Sequence, residues 1–105
     1  MRGVRLTAGN WSTEARQPST FVERFRGLRG EARHSRLLFE TSSVHTFGLA
    51  RSISVVIIGH DLQVIRAQTL LPNRVIHERR ARFILELPDD TDLPAIGAHV
   101  EIIDV

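Results

Sequence analysis

Apolar residues recur along this chain at two spacings, and the change from one to the other divides it. Val4 and Leu6 alternate with Arg5 and Thr7, which predicts a short opening strand that Trp11 and Ser12 extend beyond Gly9-Asn10. Pro18-Ser19 marks a break. Thr20 with Glu23 has the capping-box spacing, in which each side chain satisfies a free backbone N–H at the start of a helix. Phe21, Phe25 and Leu28 then fall at i, i+4 and i+7, so a helix is expected from Phe21 to Arg29, with Gly30 as its stop.

After Arg36 the period is that of strands. Leu37 to Glu40 and Val44 to Leu49 are short strands, and Ile53 to Ile58 is apolar at nearly every position, as in a strand covered on both faces. Gly59-His60-Asp61 turns the chain into a strand from Gln63 to Leu71, and Pro72-Asn73 turns it again. Arg82 to Leu87 alternates, with Phe83, Leu85 and Leu87 on one face. After the polar loop at Pro88, Asp92 is expected to cap one helical turn reaching Ile96. Gly97 then releases a last strand from His99 to Ile103. Many short strands with one short α-helix predict a mainly β fold, a jelly-roll-like sandwich or partly closed barrel. The helix stripe needs an apolar surface, so Phe25, Ile57 and Phe83 are expected to meet beneath it.

The 105 residues make a single domain, large enough to bury roughly 65% of the surface its unfolded chain exposes. There is no cysteine, which excludes disulfides, thiolate metal sites and thiol catalysis. The N-terminal stretch lacks the apolar region of a signal peptide, and Val55 to Ile58 is far too short for a membrane span, so a cytoplasmic protein without a membrane segment is expected. The isoelectric point near 10.9 reflects basic residues that are all Arg, for the net charge is only +2. Residues 1–36 hold eight Arg against three Glu, and residues 37–105 hold six Arg against nine acids, so the two parts carry opposite charge. The Arg of the first third alternate with Glu23, Glu31 and the apolar stripe. That is the pattern of a solvated helix, and no nucleic-acid partner is expected.

The order of motifs resembles a bacterial family catalogued as domain of unknown function 192. It is carried by Glu23-Arg24-Phe25-Arg26-Gly27-Leu28-Arg29-Gly30, by Ser43-Val44-His45-Thr46-Phe47-Gly48-Leu49, by the strand Ile53 to Ile58, by Leu71-Pro72-Asn73-Arg74-Val75, by Ala81 to Leu87, and by Ile96-Gly97 leading into Val100-Glu101-Ile102. These span about residues 14–103 in unbroken order. The resemblance implies a jelly-roll-like sandwich with the helix at one end, and no established activity. Members usually have Pro and then Asp before the central strand, where this chain has Ser52 and Ser54; if that Asp carries chemistry, this copy lacks its charge. The helix also ends Leu28-Arg29-Gly30-Glu31, where an apolar residue and then Arg are usual.

No residue pattern demands a reaction. His45 shares a strand face with Ser43 and Phe47; it reads first as a structural histidine hydrogen-bonded to backbone, then as a ligand contact, then as a catalyst. The five histidines never stand at the i, i+2 or i, i+4 spacing of a local metal pair, and Asp89, Asp90 and Asp92 lack the glycine and closing Glu of a calcium loop, so neither metal nor cofactor is expected. Arg74, Arg79, Arg80 and Arg82 form the densest basic cluster. Arg80 and Arg82 on the outer face of a strand can guard an exposed edge or clamp a carboxylate or phosphate. The expectation is a binding or protein-interaction module, its partner a protein or a small anion, with His45, Phe47, Arg74, Arg80 and Arg82 as contacts. The alternative is an enzyme or binding protein for a small anionic or carbohydrate-like ligand.

Overall fold

The computed structural model describes residues 2–18 and 36–105. The expected helix from Phe21 to Arg29, and with it Phe25, lies outside the described residues. The rest is mainly β, as the short strand-like periods require. Among the described residues nine strands follow one another: β1 (Arg2–Ala8), β2 (Trp11–Gln17), β3 (Leu37–Phe39), β4 (Ser43–His45), β5 (Ile53–Gly59), β6 (Val64–Leu70), β7 (Val75–His77), β8 (Ala81–Pro88) and β9 (Glu101–Asp104). Seven form one curled sheet in the order β6-β5-β8-β3-β2-β1-β9, and β4 pairs with β7 in a second sheet. Among the described residues no helix is long and apolar enough to cross a membrane.

Trp11 and Ser12 do not extend the first strand. Gly9, at φ 62°, takes the first position of a two-residue turn, and the chain folds back so that Ala8 opposes Trp11. A positive φ at that position gives the turn the twist that a tight hairpin needs. The strand expected from Val44 to Leu49 stops at His45, because Gly48 at φ 82° turns the chain and the Leu49 N–H donates to the Thr46 carbonyl at 3.2 Å. The helical turn expected after Asp92 does not form. Pro94 has no N–H to give and disfavours the helical region for Leu93, while the Asp92 carbonyl accepts the indole N–H of Trp11 at 2.8 Å.

The large sheet closes on itself through the segment before β9. Val64 N–H donates to the Ala98 carbonyl at 2.9 Å, Gly97 N–H to Val64 at 2.8 Å, and Val100 N–H to Leu62 at 2.7 Å. The next residues pair with β1, Glu101 opposite Thr7 and Ile103 opposite Arg5. One continuous segment therefore touches both edges of the sheet. The expected final strand accordingly begins at Glu101, and His99 makes an isolated bridge to Gln63.

The central strands carry two cores. Val56 and Ile58 of β5 face the concave side with Val4, Leu6, Leu38, Val64, Phe83, Leu85, Leu87 and Val100. Ile53, Val55 and Ile57 face the other side with Ile84 and Leu70, and the inward residues of the small sheet, Val44 and Ile76, pack there. Ile57 and Phe83 thus lie on opposite faces of the sheet and do not meet as expected, because neighbouring positions on a pleated strand point opposite ways.

Phe83 and Leu85 are buried in the concave core. Replacing either with Ala should cost roughly 2–5 kcal/mol through lost transfer energy and the cavity left behind. Urea denaturation measures it, and a loss below about 1 kcal/mol at both positions contradicts this packing.

Candidate functional site

The outer face of the small sheet follows from its register. Ser43 opposes His77, Val44 opposes Ile76 and His45 opposes Val75. Val44 and Ile76 point into the core, so Ser43, His45, Val75 and His77 point outward, and all four are exposed. Phe47 lies past the end of β4 but folds back on it, its ring stacked on His45 at 5.2 Å between centroids and 28° between planes. Phe47, Val75 and nearby Leu71 are each more than half exposed. His45, read first in the sequence as a structural histidine hydrogen-bonded to backbone, is exposed on this face.

Thr46, fully buried, holds this face in place. Its Oγ1–H donates to the Leu71 carbonyl at 2.6 Å, and its Oγ1 accepts the Arg74 N–H at 2.9 Å. Its own N–H donates to the Arg74 carbonyl at 2.8 Å, and its carbonyl accepts Asn73 N–H at 3.1 Å. The turn at Pro72-Asn73, with Asn73 at φ 59°, is thereby tied to the end of β4. A buried hydroxyl with both donor and acceptor roles filled fixes geometry, since leaving either role open costs about 1–3 kcal/mol.

The arginines expected to join His45 and Phe47 do not act as one cluster. Arg74 is exposed beside the Thr46 anchor, its Nη1 donating to the Asn73 carbonyl at 3.3 Å. Arg80 is not on a strand face: it sits in the turn before β8, where its Nε and Nη2 donate to the Glu78 carboxylate at 3.0 and 3.3 Å and its N–H donates to the same group at 3.2 Å. These bonds from Arg80 pull the Glu78 carboxyl down to about 2. Arg82 is on β8 and exposed, 3.9 Å from the Glu40 carboxylate, with its guanidinium 5.0 Å from the Phe83 ring centroid. Arg80 instead borders an open cleft of about 580 Å³ with Gly59, His60, Asp61, Ile96 and Gly97. Of these, only Arg80 was a candidate contact in the sequence. Among the described residues no three His, Asp or Glu side chains come close enough to hold a metal ion.

Glu86 was not anticipated. The alternation Phe83, Leu85, Leu87 reads as one buried face with Glu86 on the wet one, yet Glu86 is fully buried. Its strand is flanked by β5 and β3, with Val55 and Leu37 directly opposite Glu86. Ile84 on the same face and the unbroken apolar run of β5 were the available signals that this side is covered too. Among the described residues neither carboxylate oxygen has a hydrogen-bond partner. Burial pushes the group up to about 8, so it is a neutral acid over most of the physiological range. Ser54, where the resembling family usually has Asp, is also buried and donates to the Asp89 carbonyl at 3.4 Å.

No family model matches the chain. It is 33% identical over 87 residues to the UPF0127 protein PH1112 of Pyrococcus horikoshii, an alignment covering 75% of this chain and 76% of that protein. A crystallised protein of unknown function from Novosphingobium aromaticivorans superposes with a TM-score of 0.67 over 94% of this chain and 83% of its own, at 14% identity. A crystallised Sinorhizobium meliloti protein, described as a candidate transcription regulator, gives a TM-score of 0.69 over 95% and 92%, at 19% identity. At those identities the two structures share the fold and nothing finer.

Glu86 sets a sign for the pH dependence of stability. Above the ordinary carboxylate range, near 4.5, the unfolded chain has released its proton while the folded chain keeps it until about pH 8. Stability therefore falls through that window and is constant, as far as this group is concerned, below and above it. The loss is at most about 5 kcal/mol. Glu86→Gln should match the parent near pH 4.5 or below and gain on it progressively toward pH 8, measured by urea denaturation at several pH values. Parallel stability curves contradict the buried neutral acid.

Proposed function

This chain belongs to the UPF0127 family, and from that premise we propose that it is a small binding or protein-interaction module whose contact face is the outer side of the β4–β7 sheet. The order of motifs quoted above supports the finer assignment to domain of unknown function 192. The observation that carries the functional reading is the His45–Phe47 stack, displayed beside exposed Val75 and Leu71 on a turn that Thr46 holds rigid. Aromatic groups presented on a fixed backbone lose little freedom on binding, which is what an interaction surface requires.

Charge selects the partner. No Asp or Glu occurs between Glu40 and Asp61, or between Asp61 and Glu78, whereas Arg51, Arg66, Arg74, His45 and His77 fall in those stretches. The partner that fits is an acidic protein segment bearing an aromatic or aliphatic side chain, its carboxylates toward Arg74 and its apolar group on Phe47 and Val75. An enzyme would want a perturbed titratable group free to act at a cleft. The strongly raised carboxyl among the described residues, Glu86, is sealed in the sheet, and the strongly lowered one, Glu78, is engaged by Arg80. The description of the Sinorhizobium protein brings nucleic acid to mind, but among the described residues Arg2, Arg5, Arg80 and Arg82 each face a carboxylate, which favours a protein partner. The cysteine-free composition suits a reducing compartment, and the cytoplasm is the setting proposed.

Selection from a random peptide library on the immobilised protein should enrich acidic peptides containing an aromatic residue. Their affinity should fall by about tenfold in Phe47→Ala and in Arg74→Gln, equivalent to about 1.4 kcal/mol each. Peptides that bind both variants as well as the parent would place the contact elsewhere.

A further inference from the structure

The cleft at the other end of the small sheet is built differently from the β4–β7 face. It lies between the turn after β5, the turn before β8 and the turn at Ile96-Gly97, and its volume of about 580 Å³ is that of a small-molecule site. All three turns are fixed by hydrogen bonds of their own. Gly59 N–H donates to the Gln63 carbonyl at 2.9 Å, and Gln63 N–H donates to Asp61 Oδ1 at 3.1 Å. Glu78 N–H donates to Ser42 at 2.8 Å, and Gly97 N–H donates to Val64 at 2.8 Å. A Cβ on Gly59 would stand 3.0 Å from Ile65 Cδ1 and 3.1 Å from Asp61 Oδ1, so the first turn is as tight as a glycine allows.

The charged group at the mouth is held in one orientation. Glu78 engages the Nε–Nη2 edge of the Arg80 guanidinium, which leaves the Nη1–Nη2 edge without an acceptor among the described residues. A guanidinium carries five N–H donors in a planar fork, so the remaining edge can take a second carboxylate two bonds at a time. Because Glu78 has already ordered the side chain, little rotamer freedom remains to be lost when a ligand arrives. Ile96, 68% exposed, is the most exposed large apolar residue of the described chain, and it flanks the same cleft with half-buried Ile65. Asp61 on the lining opposes a second negative charge on the ligand.

We propose that this cleft binds a small molecule with a single carboxylate and an apolar body, the carboxylate on the free edge of Arg80 and the body against Ile96 and Ile65. Glu78 is a positioning residue in this site. The site shares no contact residue with the β4–β7 face, so either can fail without the other.

Titration of ¹⁵N-labelled protein with hexanoate, 1-hexanol and inorganic phosphate, followed by NMR, tests it. Hexanoate should give saturable shifts at the Gly59 and Gly97 amides and at the Arg80 Nε–H. Hexanol and phosphate should each bind at least about tenfold more weakly, since each lacks one half of the recognition. Arg80→Gln should weaken hexanoate by about tenfold or more, and Ile96→Ser by several fold. Both side chains are exposed, so their loss leaves the core intact. Glu78→Gln should broaden the Arg80 Nε–H signal, which marks a loss of positioning. Shifts that rise without saturating, equal binding of hexanol and hexanoate, unchanged affinity in Arg80→Gln, or shifts confined to His45 and Phe47 would each overturn the assignment.

Discussion

Three backbone hydrogen bonds between residues 62–64 and 97–100 hold the rest of the structure to its shape. Without them the seven-stranded sheet has two open edges, at β6 and at β9. With them, one short segment bonds to β6 and then runs directly into the partner of β1, so the concave side is enclosed and Val100 is buried among Val4, Leu6 and Val64. The closure also explains Leu62, a branched residue at φ 62°. A left-handed conformation there costs of order 1 kcal/mol, and the Leu62 carbonyl accepting Val100 N–H, together with packing of its side chain on the concave core, offsets it. The same bonds set the Ile96-Gly97 turn against the turn after β5.

The convex side is organised by different means. Two three-residue strands cannot stand alone in water, and the β4–β7 pair persists because Val44 and Ile76 bury themselves on Ile53, Ile57 and Ile84. Having spent its inward positions on the core, the pair has only its outward ones for contact with other molecules. Thr46 then does for the turn what a longer strand would have done with ladder hydrogen bonds. Glu86 lies on this same side, further along β8, where a charged carboxylate would be intolerable and a neutral one is merely costly.

Much of this was legible in the sequence where a strand is long or doubly covered. The apolar run of β5 and the alternation of β8 announced a mainly β fold with a strand covered on both faces, and β5 and β8 pair with each other inside the large sheet. Local periodicity is blind to pairing, and the misreadings follow from that. Trp11 and Ser12 look like more of the same strand until Gly9 reverses the chain. Val75–His77 is too short to show a period and is a strand only because β4 lies beside it. Alternation assigns Glu86 to an open face, since it cannot report that a second sheet side is buried. Among the candidate contacts, the stacking of Phe47 on His45 was within reach of a two-residue spacing. The dispersal of Arg74, Arg80 and Arg82 was not, because each is fixed by the nearest acceptor in space: the Asn73 carbonyl, Glu78 and Glu40.

The division of β5 between two cores has a consequence for divergence within the fold. Val56 and Ile58 answer to the concave core, and Ile53, Val55 and Ile57 answer to whatever covers the convex side. A change in the covering sheet is felt only by the second set, and the backbone of β5 insulates the first. The outer layer, and with it the surface shown to other molecules, can therefore be rebuilt without repacking the concave core.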